Sequence, residues 1–184
     1  VMHRMHHAYS GTERDPHAPN FFKDVFRMML HTKRVYVGLL NGSIRPEERF
    51  AGCSPVWPRF EAFSDRWLPR VAWCLVYLAI YLSLGAAWWM FFLVPIHCLM
   101  GPIHGAIVNW CGHKYGYVNF ATHDHSRNTL NVDLLLMGEL FQNNHHRYPS
   151  RANFAVRWFE LDPTYPILRL LDALGVIAMK REGL

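Results

Sequence analysis

The order of apolar and polar positions divides the chain into three stretches, of which the middle one is the plainest. From Val71 to Val108 there is no Asp, Glu, Lys or Arg. As a helix this stretch would extend roughly 57 Å at ~1.5 Å per residue, close to two crossings of a bilayer core about 30 Å thick. Gly85 lies near its middle and is the expected tight turn, so residues 71–108 are predicted to form two transmembrane helices. Arg66 and Arg70 precede the block and Lys114 follows it, which puts both of its ends on the cytoplasmic side. One long tilted span with a re-entrant piece is the alternative, and a soluble, buried hairpin the plainer reading.

The flanking stretches are polar. Residues 1–20 are rich in histidine, and Asp15-Pro16-His17-Ala18-Pro19 stops any helix there. Phe21, Phe22, Val25, Phe26, Met29 and Leu30 recur at i, i+3, i+4 spacing and predict a helix over 21–40. Lys23, Arg27, Lys33 and Arg34 make that helix either an amphipathic element lying at a membrane interface or a packed surface helix. Gly42, Pro46, Gly52, Pro55 and Pro58 predict a loop over 41–60, and residues 163–180 read as a terminal helix. The fold class expected is all-α: an integral membrane helical hairpin with a cytoplasmic helical cap. The 184 residues form one domain in this reading, with 1–70 and 109–184 cytoplasmic and 71–108 in the bilayer.

Composition adds two constraints. The net charge is +5, and with no nucleic-acid motif the basic residues point to a membrane surface. Cys53, Cys74, Cys98 and Cys111 are scattered without a C-x-x-C, which argues against a zinc knuckle, a redox pair or a disulfide framework. No charged-then-apolar leader is present, and the chain starts almost inside a histidine cluster, so it reads as the later part of a longer protein.

Twelve histidines in 184 residues are the main anomaly. His3-Arg4-Met5-His6-His7 carries histidines at i, i+3 and i+4, which share one helix face. Gln142-Asn143-Asn144-His145-His146 repeats that spacing with a glutamine first, and Asn109 and His113 form an i, i+4 pair at the end of the apolar block. Surface histidines explain any one cluster; three clusters bordering a charge-free block point to a metal site. The clusters lie before and after the block, so they meet only if it crosses the membrane an even number of times. The donor set is too large for one zinc and lacks thiolates, and imidazole suits iron, copper and zinc alike. No H-E-x-x-H is present to suggest a metalloprotease.

In order, His3-Arg4-Met5-His6-His7 with Asp15-Pro16-His17, Asn109-x-x-x-His113 with Gly116-Tyr117, Asp124-His125-Ser126-Arg127-Asn128, and Gly138-Glu139-Leu140-Phe141-Gln142-Asn143-Asn144-His145-His146-Arg147-Tyr148-Pro149 resemble the membrane fatty acid desaturases of the acyl-CoA Δ9 type, in a bacterial-looking form. The resemblance implies an oxidoreductase in which two iron ions and O₂ remove two hydrogens from a saturated acyl chain, favouring a CoA thioester as substrate. It assigns His3, His6, His7, His113, His145 and His146 as iron ligands and gives Asn109 a role through a water. Gln142 either ligates or hydrogen-bonds a water or a histidine. Electrons would come from a ferredoxin-like or cytochrome-type donor, and a bacterial inner membrane is the favoured location. The family's first box, H-x-x-x-x-H, is not found in a suitable place, so these 184 residues alone are expected to be inactive. A His-box alkyl hydroxylase or monooxygenase, or a non-enzymatic membrane metal-binding protein, are the alternatives. His17 reads as a turn cap or as a group orienting a ligand, His97 and His104 as histidines bonded across helices, His31 as interfacial, and His123 and His125 as loop residues.

Overall fold

A computed structural model describes residues 1–50, 52 and 56–179; Cys53, Pro55 and Lys180 lie outside the described residues. Among the described residues, eight α-helices run in order as α1 (Met2–Tyr9), α2 (Val25–Leu40), α3 (Pro58–Ser64), α4 (Trp67–Ser83), α5 (Leu93–Cys98), α6 (Met100–Lys114), α7 (Gln142–Arg147) and α8 (Thr164–Ala173). No β-strand forms among the described residues, although isolated bridges join Tyr117 to Asn128, Asn128 to Phe141 and Val132 to Leu161. Two compact units result: Glu47–Gly105, and Val1–Pro46 together with the chain from Ala106 onward.

The unit containing both termini carries the histidine clusters. α1 ends at a turn in which Gly11 has φ +79°; a Cβ there would sit 3.0 Å from the His123 carbonyl oxygen and 3.1 Å from Asp124 Cα. Glycine is therefore what lets the end of α1 lie against the 123–124 loop. α2 begins where Asp24 accepts a hydrogen bond from the Arg27 N–H at 2.8 Å, an N-cap that satisfies one of the orphan donors of the first turn. Its Met28 is fully buried, and Thr32 Oγ1 donates to the Pro16 carbonyl at 3.0 Å, tying α2 to the segment after α1. The opposite side leaves Phe26, Leu30, Val37 and Leu40 exposed, so α2 is both packed and apolar outside.

Glu47–Gly105 differs from the expectation in detail. Pro58 opens α3 instead of belonging to a loop, because proline is well suited to the first helical position, where no N–H is needed. The charge-free block forms α4, a turn with Gly85 at φ +63°, a 3₁₀ segment over Trp88–Phe92, and α5. Tyr81 on α4 is hydrogen-bonded to His97 Nε2 on α5 at 2.8 Å, and His97 stacks on Tyr77 with ring centroids 5.2 Å apart. At Leu99 the helical path bends by 70° into α6. Gly101 and Pro102 follow that bend; proline carries no N–H to continue the helical ladder. No single described helix is long and apolar enough to cross a membrane; the bent pair Trp88–Cys98 and Met100–Lys114 passes that test together by length and composition. α4 has no buried residue.

Beyond α6, the predicted terminal helix shortens to α8, which stops at Gly175 with φ +69°. The Val176 N–H then closes on the Leu171 carbonyl at 3.0 Å, a glycine-centred stop.

Candidate metal centre

Six of the eight candidate residues come together as two groups of three. His3, His7 and His145 form one, and His6, His113 and His146 the other; within each, one ring nitrogen per histidine lies within 4.8 Å of the others. The i, i+4 pair His3 and His7 serves the first group while His6 turns to the second, so α1 contributes to both. α7 does the same through adjacent His145 and His146, and α6 supplies His113 from its last turn. The second group is the deeper one: His6 and His113 are buried, whereas His3 is exposed.

In the deeper group, the outward ring nitrogens all have acceptors. His6 Nδ1 lies 2.9 Å from Asp15 Oδ1, His146 Nδ1 meets the Asp124 carboxylate, and His113 Nδ1 lies 3.2 Å from the Asp124 carbonyl oxygen. An acceptor at Nδ1 keeps the proton there and leaves Nε2 with a bare lone pair, the usual arrangement for a metal-ligating histidine. Yet His6 Nε2 and His146 Nε2 are only 3.1 Å apart, and His113 Nε2 is buried with no hydrogen-bond partner. Converging lone pairs call for a cation between them.

Burial, then neighbouring His146, pushes His113 down to about 4, which disfavours a proton there. Burial, then the charge of neighbouring His146, pushes His7 down to about 4; burial and His7 push His145 down to about 3. His6 is driven down further by burial and His146, and His3 is lowered by the same causes. The shallow group has similar spacings, with His7 Nε2 at 3.1 Å from His3 Nε2 and 3.0 Å from His145 Nε2. Two nitrogens at right angles around a metal, with bonds of about 2.1 Å, would be about 3.0 Å apart. The donor atoms present thus fit two metal ions.

Asn109 and Gln142 are placed differently. Asn109 is half-buried on α6, one turn before His113. Gln142 is buried and its amide nitrogen donates to the Glu139 carbonyl at 2.7 Å. Its side chain also lies against Gly112, where a Cβ would come 2.4 Å from Gln142 Cγ. His17 is buried with its ring 4.4 Å from that of His6, and its backbone N–H donates to Asp15 Oδ1 at 3.0 Å, so it occupies the turn that presents Asp15. Burial and the charge of His6 push His17 down to about 3. His31 packs on Phe22, and the exposed His123 and His125 flank Asp124 in a loop.

Sequence reasoning missed the supporting polar residues. α7 is six residues long, too short to hold itself together. Asn143 fastens it to the preceding loop: its Oδ1 accepts from the Asn119 and Phe120 N–H groups at 2.9 Å each. Asn144 Oδ1 accepts from Asn119 at 2.8 Å and from Asn128 at 2.9 Å. Glu160 closes the network, and the hydrogen bonds it receives, led by that of Tyr117, outweigh its burial and lower its pKa. Asp124 is likewise held low, with hydrogen bonds from His146 and Ser126 outweighing burial, while burial raises Asp15. Asp15, Tyr117, Asp124, Asn128, Asn143 and Asn144 lay inside the quoted motif segments without a role, and Asn119 and Glu160 lay outside them.

Comparison with known proteins gives the family. The chain is 31% identical over 95% of its length to the sn-1 stearoyl-lipid 9-desaturase of Synechocystis sp., covering 52% of that protein. It is 26% identical over 96% of its length to the hex-5-enoyl-[acyl-carrier protein] acetylenase of Moorena producens, covering 58% of it. It is 27% identical over 95% of its length to an acyl-CoA 5-desaturase of Anemone leveillei, covering 52% of it. The chain thus spans about half the length of the curated relatives it matches. No solved structure matches it. The family model for fatty acid desaturases matches residues 1–181, and with the ordered histidine clusters this means that the chain belongs to the fatty acid desaturase family.

Proposed function

We propose that this chain provides most of the metal centre of a membrane-bound fatty acyl desaturase that introduces a cis double bond into a saturated chain. The balance is RCH₂CH₂R + O₂ + 2 e⁻ + 2 H⁺ → RCH=CHR + 2 H₂O. The observation that carries the reading is the pair of three-histidine groups, each drawing on both α1 and α7. Two iron ions, when bound, would supply the O₂ activation that no side chain can provide. His3, His7 and His145 would hold one, and His6, His113 and His146 the other, with Asn109 and Gln142 beside them.

The chain's own residues do the rest. Asp15 and Asp124 keep the Nδ1 protons of His6 and His146 in place, so that the Nε2 lone pairs face inward. The Asn119, Asn128, Asn143 and Asn144 network holds α7 rigid against its loop, fixing the ligands before metal arrives.

Membrane attachment rests on α4 and the bent pair. α4 is apolar with no buried residue, and its 17 residues extend about 25 Å. Such a surface needs lipid or another apolar partner to cover it. Both ends of the hairpin are assigned to the cytoplasmic face, by the basic residues that flank it. Relatives named for lipid, carrier-protein and CoA substrates match at 31%, 26% and 27% identity, and the acyl-lipid enzyme among them supports a lipid-linked chain ahead of the CoA thioester. Electrons are assigned to an external one-electron donor.

The test is product analysis of the full-length protein in a host lacking its own desaturase. A new cis-monounsaturated acyl chain is expected. An alcohol at the same position would replace desaturation with hydroxylation.

A further inference from the structure

We infer that Glu160 is a positioning residue for His145, acting through Asn144, and that it sets the metal affinity of the His3, His7 and His145 group. The inference rests on the two-metal reading above. Each histidine of the other group has its own acceptor at Nδ1, in Asp15 or in the side chain or backbone of Asp124. His145 Nδ1 is buried and has none. Something other than a direct acceptor must therefore fix its ring.

Two neighbours do so, and both lead to Glu160. The Phe154 ring packs on the His145 ring with centroids 4.5 Å apart. Asn144, adjacent in the chain, donates to the Phe154 carbonyl at 2.8 Å and to Glu160 Oε2 at 2.9 Å. The same Glu160 oxygen accepts the Val156 N–H at 2.6 Å and the Arg157 N–H at 2.8 Å, which shapes the turn after Phe154. Glu160 Oε1 takes the Tyr117 hydroxyl and the Asn119 amide, each at 2.6 Å. One carboxylate thus ends five close hydrogen bonds from three stretches of chain. Removing it loosens Asn144 and the Phe154 turn together, although Asn144 keeps its bonds to Phe154, Asn119 and Asn128 and the Phe154 N–H keeps Asp162. His146 keeps its own hold on Asp124, so the loss falls mainly on the group containing His145.

The experiment is a Co(II) titration of the full-length protein, purified in detergent and stripped of metal, followed by visible absorption. The parent is expected to take up two equivalents. In Glu160→Ala one equivalent binds with parental affinity and the other about 10–100-fold more weakly, the usual loss for a support behind a ligand. Glu160→Gln keeps one acceptor oxygen and falls between. Asn144→Ala weakens the same equivalent, and the double variant with Glu160→Ala loses less than the sum of the two single losses, since the two changes share one path. Equal weakening of both equivalents, additive losses in the double variant, or parental affinity in Glu160→Ala would overturn the inference. If Glu160→Ala does not fold, the Gln variant carries the same test, and parental affinity there overturns it. A parent that binds fewer than two equivalents removes the two-metal reading itself, whereas two equivalents unmoved by the Glu160 variants remove only the role of Glu160.

Discussion

Replacing Asp124 by asparagine exchanges one carboxylate oxygen for an NH₂ and should reverse the proton on one ligand. In the parent, Asp124 Oδ1 accepts the Ser126 N–H at 3.0 Å and the Ser126 hydroxyl at 2.7 Å, while Oδ2 faces His146 Nδ1. An asparagine has one oxygen for these two sides. A backbone N–H cannot change its nature, whereas an imidazole can move its proton, so the oxygen stays with Ser126 and the new NH₂ faces His146. Nδ1 must then accept, and the proton moves to Nε2, the atom that lies 3.1 Å from His6 Nε2 and should hold the metal. Binding must first undo that tautomer. The expected loss is about 10–100-fold in affinity, or about 1.4–2.8 kcal/mol, for the group of His6, His113 and His146. The backbone carbonyl that supports His113 is unchanged, and the Ser126 bonds survive, so the melting temperature of the apo protein should hardly move. Metal titration beside a thermal melt reads both quantities. Parental affinity in Asp124→Asn, or a lost affinity accompanied by an equally large drop in melting temperature, would refute the tautomer argument.

Two other changes probe the scaffold. Gly116 has φ +120°, and a Cβ there would lie 2.0 Å from the Asn128 carbonyl oxygen, so Gly116→Ala should destabilise by at least about 1–3 kcal/mol; a melt within a degree of the parent would contradict this. Leu75 lies midway along α4 and is 58% exposed. Leu75→Lys should disfavour membrane insertion by about 2.5–3.5 kcal/mol if lipid covers it, whereas an ordinary water-facing helix would tolerate it within about 0.5 kcal/mol. The fraction of protein recovered in membranes after carbonate washing separates the two.

How much was legible in advance depended on range. The i, i+3, i+4 spacing showed that the residues of each cluster would share one face if helical, and α1 and α7 form there. Gly85 marked a real turn. These signals are local, set by side-chain spacing and by what one residue permits. The division of α1's face between two groups was not legible, because His6 pairs with His146 across 140 residues and His7 with His145 across 138. Nor were the partners of Asp15 and Asp124, for the same reason. The bend at Leu99 was missed although Gly101 and Pro102 lay in plain view. An unbroken apolar pattern reports what a segment avoids, not whether its backbone runs straight.

The most direct test of the central claim is the metal content of the full-length protein, purified without chelators, with and without His6→Ala. Two irons per chain are predicted, with the substitution removing iron and all desaturation while leaving expression intact. A single zinc per chain, or iron and activity unchanged by His6→Ala, would contradict the account.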